Sequence, residues 1–184
     1  MPPILQSRLP HAPWMDPRTA RLPGVLPHDG QDWLAVDDAY GAQMALRDQL
    51  IADQPLLTGA CLCFPSSWSL SEKLGRALGS IHRTVADYEP DLARRVQRMF
   101  DLIRPDRPLW RMNALVYVNP DLHQPGSETA GRTDRRSGQF LRAERQSFVR
   151  LPTTGAVLFA IHTYVVRLDS LTEAERAGLE SARL

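Results

Sequence analysis

QFLRAERQSFVRLPTTGAVLFAIHTYVVRL, residues 139–168, carries the architecture of this chain. The run Gln139 to Pro152 leads into a second run, Ala156 to Leu168, and both read as strands of an antiparallel meander. Side chains in a strand alternate between faces. Val157, Phe159, Ile161, Thr163 and Val165 therefore share one face, and Leu158, Ala160, His162, Tyr164 and Val166 the other. Both sets are mostly apolar, the pattern of a central strand covered on both sides. Upstream, WRMNALVYV (Trp110 to Val118) alternates partially and supplies a third strand. A long polar loop, Asn119 to Gly138, rich in glycine, serine and arginine, separates it from the other two.

Further out the period changes. Pro90 to Ile103 predicts a helix, with Pro90 in its first turn. Leu92, Val96, Met99, Phe100 and Ile103 form its buried stripe, and Arg94, Arg95 and Arg98 its wet side. Before it lies CLCFPSSWSLSEKLGRALGSIH, Cys61 to His82. A buried strand, Leu57 to Phe64, breaks at Pro65, and one helix is expected over Trp68 to Ser80, opened by Ser69 or Ser71. Leu70, Leu74 and Leu78 make its stripe, and Gly75 and Gly79 a thin side suited to close packing. Cys61 and Cys63 read as core packing. An earlier helix is expected from Asp29 or Gln31 to Ile51, with Asp37 and Asp38 facing water. Thr172 to Ser181 predicts a closing helix with Glu173 and Glu175 in its first turn.

Residues 1–30 are proline-rich and predict an arm extended over the surface, anchored by Trp14, Leu22, Val25 and Leu26. Residues 31–184 then form a single α+β domain: helices inserted between an early strand and a three-stranded C-terminal meander. A PAS-like antiparallel sheet has this order.

Composition narrows the function. A formal net charge of +1 gives no field of one sign to attract nucleic acid or a membrane surface. No apolar run approaches the roughly 20 residues needed to span a bilayer. The start, MPPILQSRLPHAPW, lacks a signal-peptide plan, so the cytoplasm is expected. Lys73 is the one lysine; the arginine excess fits a GC-rich bacterial genome. GxSxG, HExxH, a Gly-rich phosphate loop and a metal-spaced cysteine set are all missing from the sequence.

His82 is the candidate with most chemical content. It follows Leu78 and Ile81, on the lip of an apolar stretch, where a haem ligand would sit. A plain core histidine suits the same position, and the residues alone leave both readings open. His162 is the second candidate, mid-strand beside Tyr164. His11, His28 and His123 fall in loops.

CLCFPSSWSLSEKLGRALGSIH, PLWRMN and LRAERQSFVRLPTTGAVLFAIHTY resemble the signature blocks of the haem-dependent oxidative N-demethylase alpha-subunit family. LPGVLPHDGQDWLAVDDAYGAQMALRDQLI resembles that family's N-terminal block, so the likeness covers most of residues 20–170. It implies a PAS-like haem b domain that oxidises a small secondary amine with dioxygen and releases formaldehyde. Electrons would come from a flavin and iron–sulfur partner. The chain departs from the pattern in four places. ADQPLL replaces a long helical segment, IHRTVADY lacks the family's two prolines, Ala114 replaces a tryptophan, and His162 stands where the family has arginine.

The resemblance assigns roles. Imidazole is the usual iron ligand, which points to His82 first and His162 second. Haem propionates attract the planar fork of arginine, and Arg111, Arg142 and Arg145 are the candidates; an internal ion pair of Glu144 with Arg145 or Arg111 is the bland alternative. Asn113 and Gln146 could orient a ligand or satisfy strand edges, and Tyr164 could line a pocket or simply pack. A non-catalytic PAS-like module that binds haem or a small ligand, as sensor or accessory subunit, is the alternative function.

Overall fold

The computed structural model describes residues 2–20, 23–28, 33–53, 64–82, 89–126 and 138–182. In chain order the elements are β1 (Leu26–Pro27), α1 (Tyr40–Asp53), α2 (Leu70–Lys73), α3 (Leu78–Ile81), α4 (Pro90–Leu102), β2 (Leu109–Tyr117), β3 (Phe140–Arg150), β4 (Val157–Arg167) and α5 (Glu173–Ala182). The strands form one antiparallel sheet in the order β1-β2-β3-β4. The arrangement is α+β, as expected. Among the described residues no helix is long and apolar enough to cross a membrane.

The register sorts the side chains. Ala114 stands opposite Ala143, which stands opposite Tyr164; Val116 opposes Leu141, which opposes Val166. This first face carries the core. Met112, Ala114, Leu141, Ala143, Tyr164 and Val166 pack with Leu9 and Trp14 from the N-terminal segment and with Leu171 and Leu179 beside and within α5. The Trp14 indole N–H donates to the Glu175 carbonyl at 2.9 Å. Trp14 is thus the anchor its composition suggested, while expected anchor Leu22 lies outside the described residues.

Three local expectations need correction, and a fourth lies outside the described residues. The first helix starts at Tyr40, well past Asp29, because Asp37 builds a turn before it: its carboxylate accepts the Ala39 N–H at 2.9 Å and its carbonyl the Tyr40 N–H at 3.2 Å. Asp37 accordingly turns inward, with its side chain only 16% exposed. The helix expected over Trp68 to Ser80 is two single turns, α2 and α3, separated at Gly75, whose φ of +76° only glycine adopts freely. Leu74 is left exposed rather than on a stripe. The early strand of the described sheet is Leu26–Pro27; of the expected strand Leu57 to Phe64, all but Phe64 lies outside the described residues, as do Cys61 and Cys63. Finally, among the described strands β2 and β3 are interior, and β4, expected to be central, closes the order.

The edge of β4 is partly covered by a side chain acting as backbone. Gln6 N–H donates to Val165 O at 2.9 Å, Val165 N–H donates to Gln6 Oε1 at 2.7 Å, and Gln6 Nε2 reaches Thr163 O at 3.3 Å and Asp37 Oδ2 at 3.0 Å. Gln43 of α1 donates to the same Thr163 carbonyl at 2.9 Å. Gln6 is 3% exposed, so truncating it leaves buried groups of β4 unsatisfied. Gln6→Ala is expected to lower unfolding stability by about 1–3 kcal/mol in a urea titration; an unchanged midpoint would show that water replaces it without loss.

Candidate functional site

The second face of the sheet carries a cluster of polar side chains among apolar ones. Alternation and register place Arg111, Asn113 and Tyr117 of β2 with Arg142, Glu144 and Gln146 of β3 and Ile161, Thr163 and Val165 of β4. Asn113 stands opposite Glu144, which stands opposite Thr163; Arg111 stands opposite Gln146, which stands opposite Ile161. Phe148 continues this face, stacked on Phe159 at 5.1 Å between ring centroids and meeting Phe100 of α4 edge-on at 5.4 Å. Arg150 ties the same end to α4 through the Phe100 and Ile103 carbonyls.

The two arginines on this face do different work. Arg142 is a brace. Its side chain is 2% exposed, and its terminal nitrogens donate to Leu122 O at 3.0 Å, Asp121 O at 3.3 Å and Phe64 O at 2.7 Å. It thereby pins the segment after β2 and the segment before α2 onto the sheet. The Ser66 hydroxyl and the Tyr117 phenol add a second tie nearby. Arg142 Nε lies 3.6 Å from Glu144 Oε1, an ion pair just beyond hydrogen-bonding distance.

Arg111 is charged, largely buried and poorly compensated. No hydrogen bond reaches its Nε among the described residues, which is equally true of Arg142 Nε. Burial pulls its guanidinium pKa below the ordinary value, and the Glu144 carboxylate opposes that pull. Glu144 faces the same demand from Arg142, where burial again dominates. Gln146 also reaches Glu144 Oε2, weakly, at 3.4 Å. One carboxylate therefore serves two guanidinium groups, and the face keeps a net positive charge. An unsatisfied buried donor of this kind favours an anion.

Arg145, His162 and Tyr164 point the other way, onto the core face. Arg145 lies 5.5 Å from the centroid of Trp110, and burial chiefly raises the Tyr164 pKa while its hydrogen bond from Arg145 opposes this. His162 Nε2 lies 2.8 Å from Asp37 Oδ2, and its ring is 4.5 Å from that of Tyr164. The structure thus brings together Arg111, Asn113, Arg142 and Gln146 and separates them from Arg145, His162 and Tyr164. Glu144 belongs with the first group. Period-two alternation of LRAERQ already puts Arg142, Glu144 and Gln146 on one side and Arg145 on the other.

His82 caps α3 at its C-terminal end and is half-buried. Its Nδ1–H donates to the Leu78 carbonyl at 2.9 Å, one turn back. That bond engages Nδ1, the ring nitrogen through which metal-ligating imidazoles are commonly oriented. An open apolar groove of about 480 Å³ runs elsewhere, between Ile4 and Leu5 and the Ala42 and Leu46 side of α1; none of the candidate residues lines it.

Haem uses these residue types: an imidazole such as His82, bonded at Nδ1, and guanidinium groups such as those of Arg111 and Arg142, whose Nε atoms lack a hydrogen bond among the described residues. The family described as haem-dependent oxidative N-demethylase, alpha subunit-like, matches residues 53–183, which takes in α2 to α5 and the three long strands.

Proposed function

The chain belongs to the haem-dependent oxidative N-demethylase, alpha subunit-like family, and from that membership we propose that it binds one haem b and serves the oxidative demethylation of a small secondary amine. His82 would ligate the iron through Nε2, and Arg111 would pair with a propionate. Bound haem would supply the oxygen chemistry: one atom of dioxygen goes to the methyl carbon, which leaves as formaldehyde, and the other to water, with two electrons from outside. An electron-donating flavin and iron–sulfur partner fits the alpha-subunit character of the family. The chain's own residues bind and orient. Asn113 and Gln146 offer amide groups on the same face as Arg111.

The observation that carries this reading is Arg111. A propionate would satisfy its Nε and relieve the competition for Glu144. Arg111→Met is expected to weaken haem binding about 10- to 100-fold, the worth of a charge-assisted hydrogen bond. It should leave apo-protein stability equal or higher, because a buried charge is removed. Unaltered haem affinity would refute the assignment. The activity is tested by supplying haem-loaded protein with dioxygen, a reductase and dimethylamine. Formaldehyde release that depends on the amine is expected; stable haem binding with no formaldehyde would instead support an accessory haem module.

A further inference from the structure

Lys73 is the only lysine in a chain whose lysines and arginines total 22. Every other fixed cation is a guanidinium, so the residue type at this position has chemical content. Lys73 ends α2, and its ammonium donates to the carbonyl of Ile81, the last residue of α3. It also lies 6.0 Å from the centroid of Trp68, within cation–π range. Gly75 makes this reach feasible: its positive φ turns the chain between the two short helices so that the end of α2 meets the end of α3. Ile81 immediately precedes His82, whose Nδ1–H bonds back to Leu78 O. The α3 turn is thus held at both ends of the imidazole's support. Lys73 fixes the peptide that carries His82, and Leu78 fixes its ring.

The geometry points to Lys73 as a positioning residue for His82: it clamps the backbone at Ile81 and so sets the direction in which the imidazole Nε2 is presented. The consequence for the iron rests on the haem reading above, but the clamp itself does not. A four-residue turn has too few hydrogen bonds to hold a side chain rigidly by itself. A compact ammonium on a flexible stem can reach a single carbonyl over a ring, where the broad, planar guanidinium fits less well.

The test uses wild type, Lys73→Met, Lys73→Arg and His82→Ala in the full chain. In haem-free protein, nitrogen NMR of the His82 ring should show the single Nδ1–H tautomer in wild type and an averaged pair of tautomers in Lys73→Met. Lys73→Arg should recover part of the wild-type signature. A Lys73→Met ring that keeps one tautomer overturns the inference, whatever happens with haem. On adding haem, Lys73→Met should bind about tenfold more weakly, with an altered low-spin electron paramagnetic resonance spectrum reporting a reoriented imidazole. If His82→Ala changes the haem spectrum but Lys73→Met matches wild type in affinity and resonance, the positioning role is wrong and the haem reading stands. If the tautomer moves but wild type develops no Soret band, the clamp is upheld and the haem reading fails.

Discussion

Arg142→Met is expected to cost about 3–5 kcal/mol of stability, the scale for deleting one partner of a buried charged network. The side chain is almost fully enclosed and donates to three carbonyls from two separate segments, at Asp121, Leu122 and Phe64. Methionine fills much of the volume but donates nothing, so carbonyls that lose their donor are left unsatisfied, each at roughly 1–3 kcal/mol. Glu144 loses the closer of its two cations. The melting temperature should fall by about 10 °C, since a domain of this size loses about 2–4 °C per kcal/mol. Lysine should not rescue, because a single ammonium cannot reproduce the guanidinium fork. A loss under 1 kcal/mol would show that the brace is dispensable and that the Phe64 and Leu122 segments are held by other means.

His82→Ala is expected to produce the largest change in haem binding, about 100-fold or more. Loss of an outer-shell partner alone reaches 100-fold in metal sites. The Soret band should weaken and shift, while far-UV circular dichroism stays at the wild-type level, because His82 sits at the end of a single turn and outside the core cluster. Imidazole added in solution should restore part of the spectrum by occupying the vacated coordination position. His162→Ala should leave the spectrum close to wild type and act on stability instead, because His162 is engaged with Asp37 on the core face of the sheet. Reversal of these two phenotypes would transfer the ligand role to His162.

The meander and α4 were legible because their periodicity is strong. The three long strands begin and end within about two residues of their expected limits, and α4 begins at Pro90 as its proline requires. The helix boundaries failed where one side chain or one backbone angle overrides periodicity. Asp37 forms a turn in place of a helical residue, and Gly75 adopts a positive φ in what reads as a continuous leucine stripe. The role of Gln6 was invisible, since a glutamine in a proline-rich arm carries no signal that it will pair with Val165.

The site was half legible. Alternation within a strand is written in the sequence, so Arg111 with Asn113, and Arg142 with Gln146, could be grouped in advance. The relation between strands is not. A one-residue slip would exchange every face, and only the observed pairing of Arg145 with His162 and of Ala143 with Tyr164 puts those residues on the core side. The division between a structural arginine and an available one was equally hidden. Arg142 and Arg111 look alike in the sequence and share an Nε without a hydrogen bond among the described residues; they differ because the terminal nitrogens of Arg142 reach carbonyls.

The central claim is that this chain holds haem, and the absorbance spectrum of the wild-type protein purified from cells supplied with haem tests it most directly. The account predicts a Soret band at about one haem per chain that Arg111→Met and His82→Ala both diminish. A protein that purifies folded and colourless, and stays so when haem is added, would contradict it.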